Sequence, residues 1–308
     1  MASNPTAPYV AQATEAFRDK TLSPEEIADR VVRLCHGAVQ ASITANKQSS
    51  TDSNDTPGLE IFLWNVWAAL NTAAGEDAST HERIIDILDA IKAKGPPADS
   101  ERWTIWKEHF SWANLPIFGA DVREGFNGPS AFDEDDRSFD STDPECYAAL
   151  AGDAPTDSPA SRAGARARSR WLNTNAFVAR LWARGYDGYA WYGIATMRME
   201  LEPLSLPPSR RGNRSEPVEL GIEVAAVWVR VAGRQMYESR EIFGPKGNPD
   251  WSENWGRPGG SGGTWDGVDG YDPERWEHWK SIFREITQGQ WRPNVIEAAK
   301  VRDCGCAL

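Results

Sequence analysis

The spacing of apolar residues constrains this chain most, because it follows a helical period along most of its length and a strand period almost nowhere. The stretch "SPEEIADRVVRLCHGAVQASI" (23–43) opens with Ser23 as N-cap, Pro24 at the first helical position and Glu26 completing a capping box. Its residues Ile27, Val31, Leu34 and Val39 then recur at helical intervals. "STHERIIDILDAIKAKG" (79–95) carries Ile84, Ile87, Leu88 and Ile91 on one stripe and stops at Gly95. "SERWTIWKEHFSWANLPIF" (100–118) reads as helical to about Trp112, and an irregular acidic region follows to about residue 160. "RSRWLNTNAFVARLWARG" and "DGYAWYGIATMRMELE" predict a helix pair, and "PVELGIEVAAVWVRVAGRQMYESRE" one long helix. Residues 244–271, rich in Gly, Pro and Trp, read as a loop before two closing helices, "DPERWEHWKSIFREITQG" and "RPNVIEAAKV". The expected fold is all-α: an N-terminal segment (1–22), a single compact multi-helix domain (23–303) and a short tail (304–308). Loop insertions are expected near 119–165, 203–216 and 244–271.

Composition narrows the function classes. Of 308 residues 40% are apolar and 25% charged, as in soluble globular proteins. No apolar run approaches the ~18 residues of a membrane span, and the first residues lack the pattern of a signal peptide. Cys35, Cys146, Cys304 and Cys306 form neither a disulfide framework nor a zinc set, and Gly305 breaks the prenylation box that "CGCAL" would otherwise resemble. A cytoplasmic protein with reduced thiols is expected. The net charge of −12 argues against a generally basic nucleic-acid surface. Charge is nonetheless polarised: "DEDDRSFDSTDPE" (133–145) is acidic, whereas residues 160–214 hold ten arginines against Asp187, Glu200 and Glu202. Phosphate-loop, dinucleotide, nucleophile-elbow and His-Glu-x-x-His patterns are missing, so no cofactor and no metal is implied.

Fifteen tryptophans are the strongest compositional bias. In "GLEIFLWNVWAALNTAAG" (58–75) Glu60, Trp64, Trp67 and Asn71 share a helical stripe, with Asn65 beside them. Either this stripe faces solvent or another helix, or indole faces and the carboxylate make a box for an organic cation. In "WLNTNAFVARLW" Trp171, Asn175 and Trp182 align, so Asn175 needs a partner from a neighbouring helix or a ligand. Glu200 and Glu202 close a helix at its negative end; they call for cations, from Arg180 or Arg198 or from a substrate amine. Glu223 reads as a solvated edge. His81, in the first turn of its helix near the end of the preceding one, is either an exposed neighbour of the cap or an acid–base group. Arg162, Arg166, Arg168, Arg170, Arg210, Arg211 and Arg214 lie in segments read as loops; these are either solvated or a local phosphate-binding surface.

The succession "WNVWAAL", "HERIIDIL", "RWTIWKEHFSWANLPIFGADVREGFN", "WLNTNAFVARLWARGY", "MRMELE", "GIEVAAVWVRVAGRQMY" and "RWEHWKSIFREI" resembles a large fungal family of unknown function over roughly residues 55–300. The resemblance implies a compact all-helical fold and supplies no catalytic residues. Size and Trp-rich helices are also similar to the fungal arginine-containing cyclodipeptide synthases, which use aminoacyl-tRNA. That likeness implies an enzyme; the residues read above then offer Glu60, His81 and Glu200 as acid–base candidates, and Trp64, Asn65, Trp67, Trp171, Asn175, Arg180 and Trp182 around a small cationic substrate. The arginine segments would meet tRNA phosphates. The alternative is a non-catalytic helical module that binds a small ligand or a protein.

Overall fold

The computed structural model describes residues 4–46, 55–95, 103–129, 138–212 and 214–301. The acidic residues 133–137 and the C-terminal Cys304 and Cys306 lie outside them. The chain is all-helical, with eleven α-helices and a two-stranded hairpin among the described residues. They gather into two compact units, Met1–Asn127 and Gly128–Leu308.

The first unit holds α1 (Ala7–Arg18), α2 (Pro24–Asn46), α3 (Leu59–Glu76), α4 (His81–Lys92) and α5 (Phe118–Gly125). The segment before residue 23 is therefore itself largely helical. The expected capping box is present: Glu26 N donates to Ser23 Oγ at 3.2 Å, and Ser23 N donates to Glu26 Oε2 at 2.7 Å. Ser23→Ala should cost about 1 kcal/mol, read as a lower urea midpoint at unchanged slope. The nearly apolar α3 buries Leu59, Phe62, Leu63, Val66, Trp67, Leu70 and Ala74, a recurrence that places most of its circumference in the core.

The segment 100–118 departs from the helix expected there. Thr104–Ile105 (β1) and Glu108–His109 (β2) pair antiparallel around a tight turn at Trp106 and Lys107, whose φ values are +51° and +69°. The cause is tertiary. Asp55 accepts backbone N–H bonds from Trp106 (3.1 Å) and Lys107 (3.0 Å), while Thr56 N donates to Thr104 O at 2.9 Å. A 3-10 turn, Trp112–Asn114, follows.

The second unit contains α6 (Pro144–Leu150), α7 (Pro159–Ala183), α8 (Ala190–Thr196), α9 (Val218–Glu238), α10 (Pro273–Gln288) and α11 (Pro293–Ala299). The interval read as loop near 119–165 thus includes most of α5, all of α6 and the start of α7. Ser158 caps α7 by accepting from Ser161 N, and Pro159 sits at its first position. Residues 162–170 are consequently helical instead of a loop. Past α8 the helix widens into a π-turn, Met197–Leu201. The segment 244–271 is irregular apart from one 3-10 turn and a bridge between Ile242 and Gly270.

Candidate functional site

The first turn of α3 carries Glu60, half-buried. Its Oε1 accepts from the indole N–H of Trp64 at 3.4 Å and from that of Trp106 at 3.0 Å. The hairpin turn is what brings Trp106 there, 52% exposed at the tip. Oε2 has no hydrogen-bond partner among the described residues, and no cation pairs with Glu60 among them. A carboxylate held through one oxygen by two N–H donors is oriented without being neutralised, which leaves the other oxygen for a cationic ligand.

The rest of the expected stripe disperses. Trp67 turns inward, donates to Pro116 O at 2.8 Å and packs edge-on to Phe118 at 5.5 Å. Asn65 is exposed and folds back onto Ile61 O at 2.7 Å. His81 is fully buried, its Nε2 bonded to Ala74 O at 2.8 Å. Its place near the end of α3, away from Glu60, agrees with the sequence reading, but it is buried and not an exposed neighbour of the cap. Fourteen residues of helix rise separate Glu60 from Ala74, about 20 Å. Trp106 is the residue sequence reasoning missed, because Trp-Lys carries none of the usual turn signals.

In the second unit Asn175 finds its partners inside the protein. Its Nδ2 donates to Trp171 O at 2.9 Å, and its Oδ1 accepts from Trp228 Nε1 on α9 at 2.9 Å. Asn175→Leu keeps the branched outline but strands a buried indole N–H, at a cost of about 1–3 kcal/mol; urea unfolding reads it. Trp182 packs on Tyr271 and Trp228, with ring centroids 5.2 and 6.4 Å away. Trp171 and Arg180 are half-buried, and Arg180 Nη1 donates to Ala176 O at 3.3 Å.

Glu200 and Glu202 lie on or just past the π-turn, and neither pairs with Arg180 or Arg198 as the sequence suggested. Glu200 pairs with Arg214, which also donates to Met199 O at 3.1 Å. The carboxylate lies against Gly221 of α9, where a side chain would collide with it. Burial raises the Glu200 pKa, and Arg214 partly offsets that. Glu202 pairs with Arg275 at 2.7 Å, both side chains being 0% exposed. It also accepts from Trp279 Nε1 at 2.8 Å and Gly262 N at 2.7 Å. Arg275 donates onward to the carbonyls of Gly259, Gly260 and Gly270. Its guanidinium lies 5.7 and 5.5 Å from the ring centroids of Trp265 and Trp279. Here is a carboxylate–indole box around a guanidinium, built from the protein's own arginine.

The arginines are divided. Arg168 Nη2 donates to both carboxylate oxygens of Glu223, at 2.6 and 2.5 Å. Glu223 is therefore not a solvated edge but a buried carboxylate, which Asn294 also reaches at 3.1 Å. Arg211 donates to Leu204 O and Leu206 O, and Arg214 is held by Glu200. Arg162, bonded to Asp157 O, is exposed, as are Arg166 and Arg210; Arg170 is half-buried. Cys35 and Cys146 are buried, and burial pushes the Cys35 pKa up. No helix among the described residues is long and apolar enough to cross a membrane.

Fold and interior together define an all-helical protein of two compact units, with tryptophans and ion pairs built into the core of the second. The chain belongs to the DUF3632 family, described as a protein of unknown function, whose pattern matches residues 67–283. No curated protein and no solved structure matches it.

Proposed function

We propose that this protein is an enzyme of fungal specialised metabolism that takes a cationic, amino-acid-like substrate, and that Glu60 recognises the cation. The observation that carries the reading is the Glu60 carboxylate, oriented through Oε1 by Trp64 and Trp106 with Oε2 left over. A guanidinium or ammonium supplies the donors that oxygen lacks, and the exposed Trp106 ring offers it an apolar wall. The likeness to arginine-containing cyclodipeptide synthases names the reaction: an arginine-containing cyclic dipeptide formed from aminoacyl-tRNA. Two aminolyses are needed: the amine of one aminoacyl-tRNA attacks the ester of the other, and the free amine of the resulting dipeptidyl-tRNA then attacks its own ester to close the ring. Each time a C–N bond forms as a C–O bond to tRNA breaks, and the amine's proton ends on the departing oxygen. The exposed Arg162, Arg166 and Arg210 are the candidates for phosphate contact.

A second reading, a non-catalytic helical binding module, is favoured by one observation: Asn175, Glu202 and Arg211 are held by partners inside the protein. Expression in a bacterial host separates the two, since the host supplies every aminoacyl-tRNA. Mass spectrometry of the medium should reveal a new arginine-containing cyclic dipeptide, missing from the vector control and from the folded Glu60→Gln variant. Soluble wild-type protein with no new metabolite would overturn the enzymatic reading in favour of the module.

A further inference from the structure

Asp121 on α5 faces Asn71 on α3, inside the first unit and away from the Glu60 carboxylate. Asn71 Nδ2 donates to Asp121 Oδ2 at 2.5 Å, short for an amide–carboxyl bond. The other end of the same amide, Oδ1, is buried with no hydrogen-bond partner. Turning the amide over does not help, because it would set that oxygen against a carboxylate oxygen. A buried acceptor without a donor costs free energy, so a donor supplied by a neighbouring group would be stabilising. The group beside it is the Asp121 carboxyl, which has a donor to offer only when it carries a proton.

We propose that the Asp121 carboxyl, when it carries its proton, closes a two-bond ring with the Asn71 amide, a proton-dependent clasp between α3 and α5. Asn71 Nδ2–H donates to Asp121 Oδ2, and the proton on Asp121 Oδ1 donates to Asn71 Oδ1. Loss of that proton leaves one bond, an orphaned amide oxygen and a half-buried charge. The surroundings favour the protonated form. Burial is the leading cause that moves the Asp121 pKa up to about 6, and Glu124, one turn along α5, adds repulsion; the Asn71 donor works the other way. On the α3 side the contacts are neutral, Asn71 itself and the Trp67 ring against Phe118. A raised carboxyl pKa means that the folded protein holds more protons than the unfolded chain between the two values. Stability from this pair is therefore fully present below the ordinary carboxyl value of 3.8 and lost as pH rises from there through about 6. The short α5 is the element released.

The test is an NMR titration of the full chain from pH 4.5 to 8, following the Asp121 carboxyl carbon and the Asn71 side-chain amide nitrogen. Both should move together with a common midpoint near 6, and exchange of the α5 amides should rise above that midpoint by more than base catalysis alone gives. A carboxyl midpoint near the ordinary ~4, or an Asn71 amide that ignores the titration, would overturn the clasp. Asp121→Asn can form an amide–amide ring of equal shape and should abolish the pH dependence. Should that variant not fold, the two wild-type signals still decide the matter.

Discussion

Arg275→Met should destabilise the unit formed by residues 128–308 by about 3–5 kcal/mol, the range for removing one partner of a buried ion pair. The substitution keeps an unbranched apolar stem but strands Glu202 as an uncompensated charge where neither side chain has solvent access. It also removes the donor from the carbonyls of Gly259, Gly260 and Gly270, three points at which the irregular 244–271 segment is tied to α10. That segment is pressed close elsewhere as well: a side chain at Gly262 would run into the Arg198 carbonyl, so its backbone can donate to Glu202 only as glycine. Urea unfolding followed by tryptophan fluorescence measures the loss. The double variant Glu202→Leu/Arg275→Met should recover part of it, because no buried charge is then left alone. A single-variant loss below about 1 kcal/mol would mean that the pair is solvated and the loop is held by other contacts.

The second large effect concerns ligand binding. Glu60→Gln should weaken the binding of arginine methyl ester by roughly 10–100-fold, the equivalent of a charged hydrogen bond worth about 1.5–3 kcal/mol. The amide keeps an acceptor oxygen for Trp106 but has no charge for the guanidinium. Trp106→Ala should weaken binding less, since it frees the carboxylate to rotate and removes one aromatic wall without removing the charge. Melting temperature should change little in Glu60→Gln, because the half-buried side chain bonds only to half-exposed or exposed indoles. Unchanged affinity with an unchanged fold would remove Glu60 from the site.

The helices of this chain were legible because their signals are local. Ser23, Pro24 and Glu26 announce the start of α2 within four residues, and the stripe of α4 needs only its own spacing. The hairpin at 104–109 was not legible. Trp103, Trp106 and Phe110 mimic a helical interval, and the decisive groups, Asp55 and Thr56, lie about fifty residues away. The start of α7 was missed for a different reason: arginines spaced among Ala, Gly and Ser suggested a loop, yet Ser158 and Pro159 cap a good helix. Elsewhere tryptophans and a carboxylate enclose the protein's own Arg275, paired with Glu202, an internal arrangement that the sequence reading did not expect. Spacing along one helix says which residues share a face and nothing of what α10 or a distant loop brings to it. Glu60 kept its place in the reading, with indole edges where faces were expected.

One calorimetric comparison tests the central claim, that Glu60 is an oriented carboxylate waiting for a cation. Arginine methyl ester and citrulline methyl ester have nearly the same shape and differ in side-chain charge. Titrated into wild-type protein, the arginine ester should bind at least about tenfold more tightly, and the preference should vanish in Glu60→Gln. Equal affinity for the two esters, or a preference that survives the substitution, would contradict the account.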